Sequence, residues 1–186
     1  MTASRLATGL VNRLEAAHLT VGTAESLTGG LVCAALTSVP GASAVVRGGV
    51  VAYATDVKAE VLGVDRGLLE REGAVHEQVA RQLAERTRRV LGCDVGIATT
   101  GVAGPDPADG MPVGTVFVAV AGPWGILAER HAFTGDRSAI RAASVRAALR
   151  LAEQGLDNLQ DEVGAARYGG EHEVRPVHHE EREEAP

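Results

Sequence analysis

Apolar residues recur at Leu6, Leu10, Val11, Leu14 and Ala17, the spacing of an amphipathic helix, and predict a first helix over residues 4–18. Residues 20–24 (TVGTA) read as a short strand running into Glu25-Ser26-Leu27-Thr28-Gly29-Gly30. Residues 31–36 continue as an apolar helix, closed by the turn Ser38-Val39-Pro40-Gly41. A second strand follows over 47–53, with Thr55 as the expected N-cap of a helix carrying Lys58. Asp65 is expected to cap a short helix, and residues 76–91 form a long one ending at Gly92. Residues 94–100 (DVGIATT) have the composition of a buried strand, and 101–112 that of a Gly/Pro-rich loop. Strands over 114–120 and 126–133 flank Gly122-Pro123-Trp124-Gly125 as a hairpin, and Asp136 caps a last helix reaching residue 154.

Strands alternating with crossover helices predict a single three-layer α/β/α domain, with a mostly parallel sheet and an antiparallel edge hairpin. In such sheets ligands collect beyond the carboxyl ends of the strands. Three loops, 25–30, 53–58 and 100–106, fall there.

Composition and charge narrow the function classes. The 186 residues suffice for one ordinary domain, expected over 1–158. Residues 161–186 carry a net charge of −5 out of the chain's −6, and the segment 159–186 is expected to be an acidic, disordered tail. A body close to neutral with 3% aromatic residues argues against nucleic acid as a partner. Cys33 and Cys93 suggest neither a disulfide framework nor a metal site, no apolar run reaches the roughly 18 to 20 residues of a membrane span, and a cytoplasmic location is expected. His76, His131 and Cys93 are read as structural.

Within the three loops, Ser26 stands between a strand and a helix whose start holds Gly29 and Gly30. Backbone N–H groups there suit a phosphate or the oxyanion of acyl transfer; the alternative is that Ser26 or Thr28 only caps the helix. Lys58 is the single lysine in a chain whose other basic residues are arginine. A lysine loses its proton when desolvated and then acts as a general base, whereas a guanidinium stays charged. Tyr53 adds a phenol that relays a proton or covers the sheet edge. Ser26, Lys58 and Tyr53 together permit nucleophilic acyl transfer without histidine. Thr100 and Gly101 open a loop suited to a polar ligand, and Arg137, with Arg141 one turn later, is placed to clamp a phosphate or carboxylate.

The run from Thr23 to Gly30 resembles the opening signature of the CinA C-terminal family. Further segments match in order: Pro40-Gly41-Ala42-Ser43, residues 48–53 with Lys58, 100–106, Pro112-Val113-Gly114-Thr115 and Gly135-Asp136-Arg137. The resemblance covers residues 5–155, in the form that stands alone without a further N-terminal domain. It implies hydrolysis of nicotinamide mononucleotide to nicotinate mononucleotide and ammonia in pyridine-nucleotide recycling, with no cofactor, no metal and a homodimer or larger homo-oligomer. It carries the functional residues onto Ser26, Ser43, Tyr53, Lys58, Thr100 and Arg137. Ser26 would attack, Lys58 would take its proton, Tyr53 would help protonate the leaving ammonia, and Arg137 with Ser43 would hold the phosphate. The oxyanion would rest on N–H groups of Thr28, Gly29 and Gly30, or of Thr100 and Gly101. A non-catalytic nucleotide-binding relative is the rival implication. The family's Gly-Pro-Asp-Gly-Gly reads Gly104-Pro105-Asp106-Pro107-Ala108-Asp109-Gly110 here, and a serine is common where His76 stands, a position expected to cap a helix.

Overall fold

The computed structural model describes residues 2–168, with side chains described as far as residue 161. The chain runs α1 (Ala3–Ala16), β1 (Val21–Glu25), α2 (Leu31–Thr37), a 3-10 turn (Ala42–Ala44), β2 (Val46–Val51), α3 (Thr55–Glu60), α4 (Arg66–Glu72) and α5 (Glu77–Leu91), then β3 (Val95–Gly101), β4 (Thr115–Gly122), β5 (Gly125–Ala132) and α6 (Arg137–Tyr168). The five strands lie in the order β2-β1-β3-β4-β5. β1 pairs parallel with both β2 and β3, while β3–β4 and β4–β5 are antiparallel. The expected α/β domain with a parallel centre and an antiparallel edge hairpin is therefore the fold.

Strand alternation divides the core. Val95, Ile97, Val116, Val118 and Val120 face one layer with Leu10, Leu14, Leu36, Ile140 and Leu149. Ala24, Ala98, Ala119 and Ala121 face the other, with Leu62, Leu69, Val79 and Leu83. Small residues on that second face let α5 lie close to the sheet: a Cβ on Gly96 would collide with the carbonyl oxygen of Ala84. Three expected caps form, with Asp65 accepting from Leu68 N at 2.6 Å, His76 Nδ1 from Gln78 N at 3.2 Å, and Asp136 from Ala139 N at 2.8 Å.

Several expectations are corrected. Thr55 is the first residue of α3, and Ala54 occupies the cap without a side-chain bond. The turn after Pro40-Gly41 winds into the 3-10 turn, which no periodicity announces over so few residues. Helix α6 continues to Tyr168 instead of ending near 154. From residue 169 on, the expected tail lies outside the described residues. Among the described residues no helix is long and apolar enough to cross a membrane.

Candidate active site

The backbone carries Ser26 past the end of β1 while keeping it tied to the sheet. Its N–H donates to Thr99 O at 3.0 Å, and the N–H of Ala52 donates to Glu25 O at 2.9 Å. Parallel strands β1, β2 and β3 thus end together, and the loops leaving them surround a cleft of about 230 Å³. Of the residues singled out in the sequence, Ser26, Tyr53, Lys58, Thr100, Gly101 and Arg137 line it.

Lys58 is 1% exposed, an extreme for a lysine. From the first turns of α3 its Nζ lies 2.9 Å from Ala52 O, 3.1 Å from Tyr53 O and 3.3 Å from Ser26 Oγ. The two carbonyls accept only. A neutral amine has two N–H groups and one lone pair, so its N–H groups go to the carbonyls and its lone pair faces the hydroxyl. Burial pushes the pKa of Lys58 down from the ordinary lysine value, while the carboxylates of Asp109 and Asp56 pull it back up.

At the mouth of the cleft Arg137 donates to Gly104 O at 2.7 Å and to the Tyr53 hydroxyl at 2.8 Å. Tyr53 is 58% exposed, and its phenol is turned towards this guanidinium. That contact makes the hydroxyl a companion of the cation.

Other expectations change. The N–H of Gly29 donates to Ser26 O at 3.0 Å and that of Gly30 to Glu25 Oε2 at 2.9 Å, so neither is free for an oxyanion or a phosphate. Neither Ser26 nor Thr28 caps α2. Glu25 does so from outside the helix, accepting also from Val32 N at 3.0 Å and Cys33 N at 2.8 Å. The hydroxyl of Thr28 pairs with that of Thr99 at 2.7 Å, and Thr100 Oγ1 donates to Ala74 O at 2.7 Å, so these threonines lock the cleft walls. Gly101 is required by packing, since a Cβ there would lie 2.6 Å from Thr115 O. Ser43 sits in the 3-10 turn, exposed, before β2 begins, whereas the cleft opens where β2 ends. A six-residue strand spans roughly 20 Å, so Ser43 lies away from this cleft.

Three further residues, Arg141, Glu25 and Asp109, shape the site in ways that differ from the sequence reading. Arg141, expected to hold a ligand, instead donates to Leu27 O and Thr28 O, both at 2.9 Å, and fixes the turn after Ser26. Glu25 and Asp109 have no role in the sequence reading, where one opens the loop 25–30 and the other lies in the Gly/Pro-rich run 101–112. For Asp109 the sequence carries a signal, the Asp-Gly pair of a tight hairpin, whereas the burial of Glu25 shows only in the structure. Among the described residues no three His, Cys, Asp or Glu side chains cluster to hold a metal.

The site of this α/β domain is thus a serine facing a buried amine at the ends of parallel strands. The chain belongs to the CinA family: the model of the CinA C-terminal domain matches residues 3–156. It is 51% identical over 140 residues to a CinA-like protein of Frankia casuarinae, covering 75% of this chain and 32% of that protein. It is 49% identical over 142 residues to a putative competence-damage inducible protein of Geobacillus kaustophilus, covering 76% of this chain and 34% of that one. The chain thus spans about a third of the length of these relatives. Its fold is similar to a CinA superfamily protein of Klebsiella pneumoniae (TM-score 0.81, 34% identity, covering 84% of this chain and 99% of the other). It is also similar to competence/damage inducible protein CihA of Agrobacterium tumefaciens (TM-score 0.79, 36% identity, 82% and 94%).

Proposed function

We propose that the protein is a nicotinamide-nucleotide amidohydrolase, converting nicotinamide mononucleotide and water to nicotinate mononucleotide and ammonia. The observation that carries this reading is the buried contact of Lys58 Nζ with Ser26 Oγ at 3.3 Å, with both remaining valences of the amine occupied by carbonyl acceptors. Lys58, neutral, takes the proton of Ser26 as Oγ attacks the carboxamide carbon. The oxyanion needs donors other than Gly29 and Gly30. Leu27 follows the nucleophile and lines the cleft, and its N–H has no acceptor among the described residues, as an oxyanion donor requires. The C–N bond then breaks, the leaving nitrogen takes the proton from the Lys58 ammonium, and ammonia departs. Water gives a proton to Lys58 and attacks the nicotinoyl ester; the C–O bond breaks and Ser26 recovers its proton. Arg137, steadied by Tyr53, receives the 5′-phosphate at the mouth. In the cell we propose a cytoplasmic homo-oligomer acting in pyridine-nucleotide recycling.

The test is ammonia release from a panel containing nicotinamide mononucleotide, nicotinamide riboside, nicotinamide and other pyridine carboxamides. The mononucleotide is the expected best substrate. Binding of the mononucleotide without ammonia release would make the chain a nucleotide-binding module instead.

A further inference from the structure

Among the residues lining the cleft there are two basic side chains, Lys58 and Arg137, and one acidic side chain, Asp109. Asp109 stands at the tip of a hairpin in which Ala108 and Met111 exchange backbone hydrogen bonds of 3.2 and 2.9 Å. Both tip residues are left-handed, at φ 52° for Asp109 and 70° for Gly110, the combination that Asp-Gly adopts most readily. Its Oδ2 accepts from Ala74 N at 2.7 Å and Val75 N at 3.2 Å. Thr100 grips the same segment through Ala74 O. The carboxylate is therefore held at both backbone and side chain, and among the described residues no cation lies within ion-pair distance of it.

An anion in this place works against the site, because it favours the ammonium form of an amine that must be neutral to act. A cation brought by the substrate would cancel that effect. Resting on the amidohydrolase reading above, we propose that Asp109 is a specificity residue that recognises the positive charge of the substrate's pyridinium ring. The carboxamide carbon must reach Ser26 Oγ, and the ring is bonded directly to that carbon, so the ring lies beside Lys58 and in the field of Asp109. The substrate is dipolar, with a cationic ring and an anionic phosphate, and Asp109 and Arg137 supply the opposite charges. The reduced mononucleotide has the same phosphate and nearly the same shape but an uncharged dihydropyridine ring, and loses this attraction.

The experiment measures dissociation constants of oxidised and reduced nicotinamide mononucleotide on the Ser26→Ala protein, with and without Asp109→Asn. Asparagine keeps an oxygen for the N–H groups of Ala74 and Val75 and removes only the charge. The preference for the oxidised form is expected to fall about fivefold, the scale of one partly screened charge contact. Any loss of folded protein affects both ligands alike and cancels in the ratio. An unchanged ratio, no preference before the substitution, or no binding of either ligand overturns the inference. Ammonia release by the unaltered protein decides the underlying reading separately.

Discussion

Arg141 Nη2 donates to the carbonyl of Thr28 at 2.9 Å, two residues past Ser26, while its Nε takes the carbonyl of Leu27. Gripping consecutive carbonyls fixes two peptide planes, and with them the aim of the Thr28 and Gly29 N–H groups. A planar guanidinium does this bidentately and an ammonium does not. Arg141→Lys is expected to lower kcat about tenfold or more while KM for the mononucleotide changes little. Steady-state kinetics read this directly; a rise in KM with kcat unchanged would return Arg141 to ligand binding.

Lys58→Arg should retain nucleotide binding and lose turnover, by at least about a hundredfold, because a guanidinium supplies no lone pair. Calorimetric titration beside an ammonia assay separates the two effects. Retained turnover would remove the amine from the base role.

The same amine sets the acid limb of the pH profile. Activity requires the deprotonated form, so kcat/KM should rise with pH and level off above the Lys58 pKa. Burial lowers that pKa, so the plateau should begin below the ordinary lysine value of about 10.4. Asp109→Asn removes a carboxylate that favours the ammonium, and should move the limb to lower pH.

Arg137→Ala should raise KM for the mononucleotide by about tenfold to a hundredfold and leave KM for free nicotinamide nearly unchanged. Equal effects on both substrates would show that the guanidinium acts through Tyr53 and the Gly104 carbonyl alone, with no phosphate contact.

Away from the cleft, Asp94 ties the start of β1 to β3: its Oδ2 accepts from Thr20 N at 2.8 Å and Thr20 Oγ1 at 2.7 Å. The backbone N–H of Thr20, then its hydroxyl, hold the Asp94 carboxyl below the usual carboxylate range. A pKa lower in the folded than in the unfolded state gives stability that is present above the unfolded value and lost as pH falls through the folded one. Asp94→Ala should cost about 1–3 kcal/mol at neutral pH, with the difference narrowing in acid. Urea denaturation at two pH values measures both.

What the chain alone determined is what short-range physics encodes. The helical spacing of Leu6, Leu10 and Leu14, the runs 94–100 and 114–120, and the caps at Asp65, His76 and Asp136 each depend on residues a few positions apart, and they suffice for an α/β domain. The single lysine among arginines marked its residue because only one of the two chemistries can surrender a proton. Tertiary structure decided which polar groups remain available. Gly29 and Gly30 are spent on the Ser26 carbonyl and on Glu25, and Thr28 and Thr100 on Thr99 and Ala74. The length of β2 carries Ser43 to the far end of the sheet. Arg141 reaches the turn beside Ser26 across 114 residues of chain, and Asp109 joins the cleft only because its hairpin tip meets the N–H groups of Ala74 and Val75. A hydrogen-bonding group has few valences, and which of them is free for a ligand is fixed by whatever distant residues the packed layers bring to it.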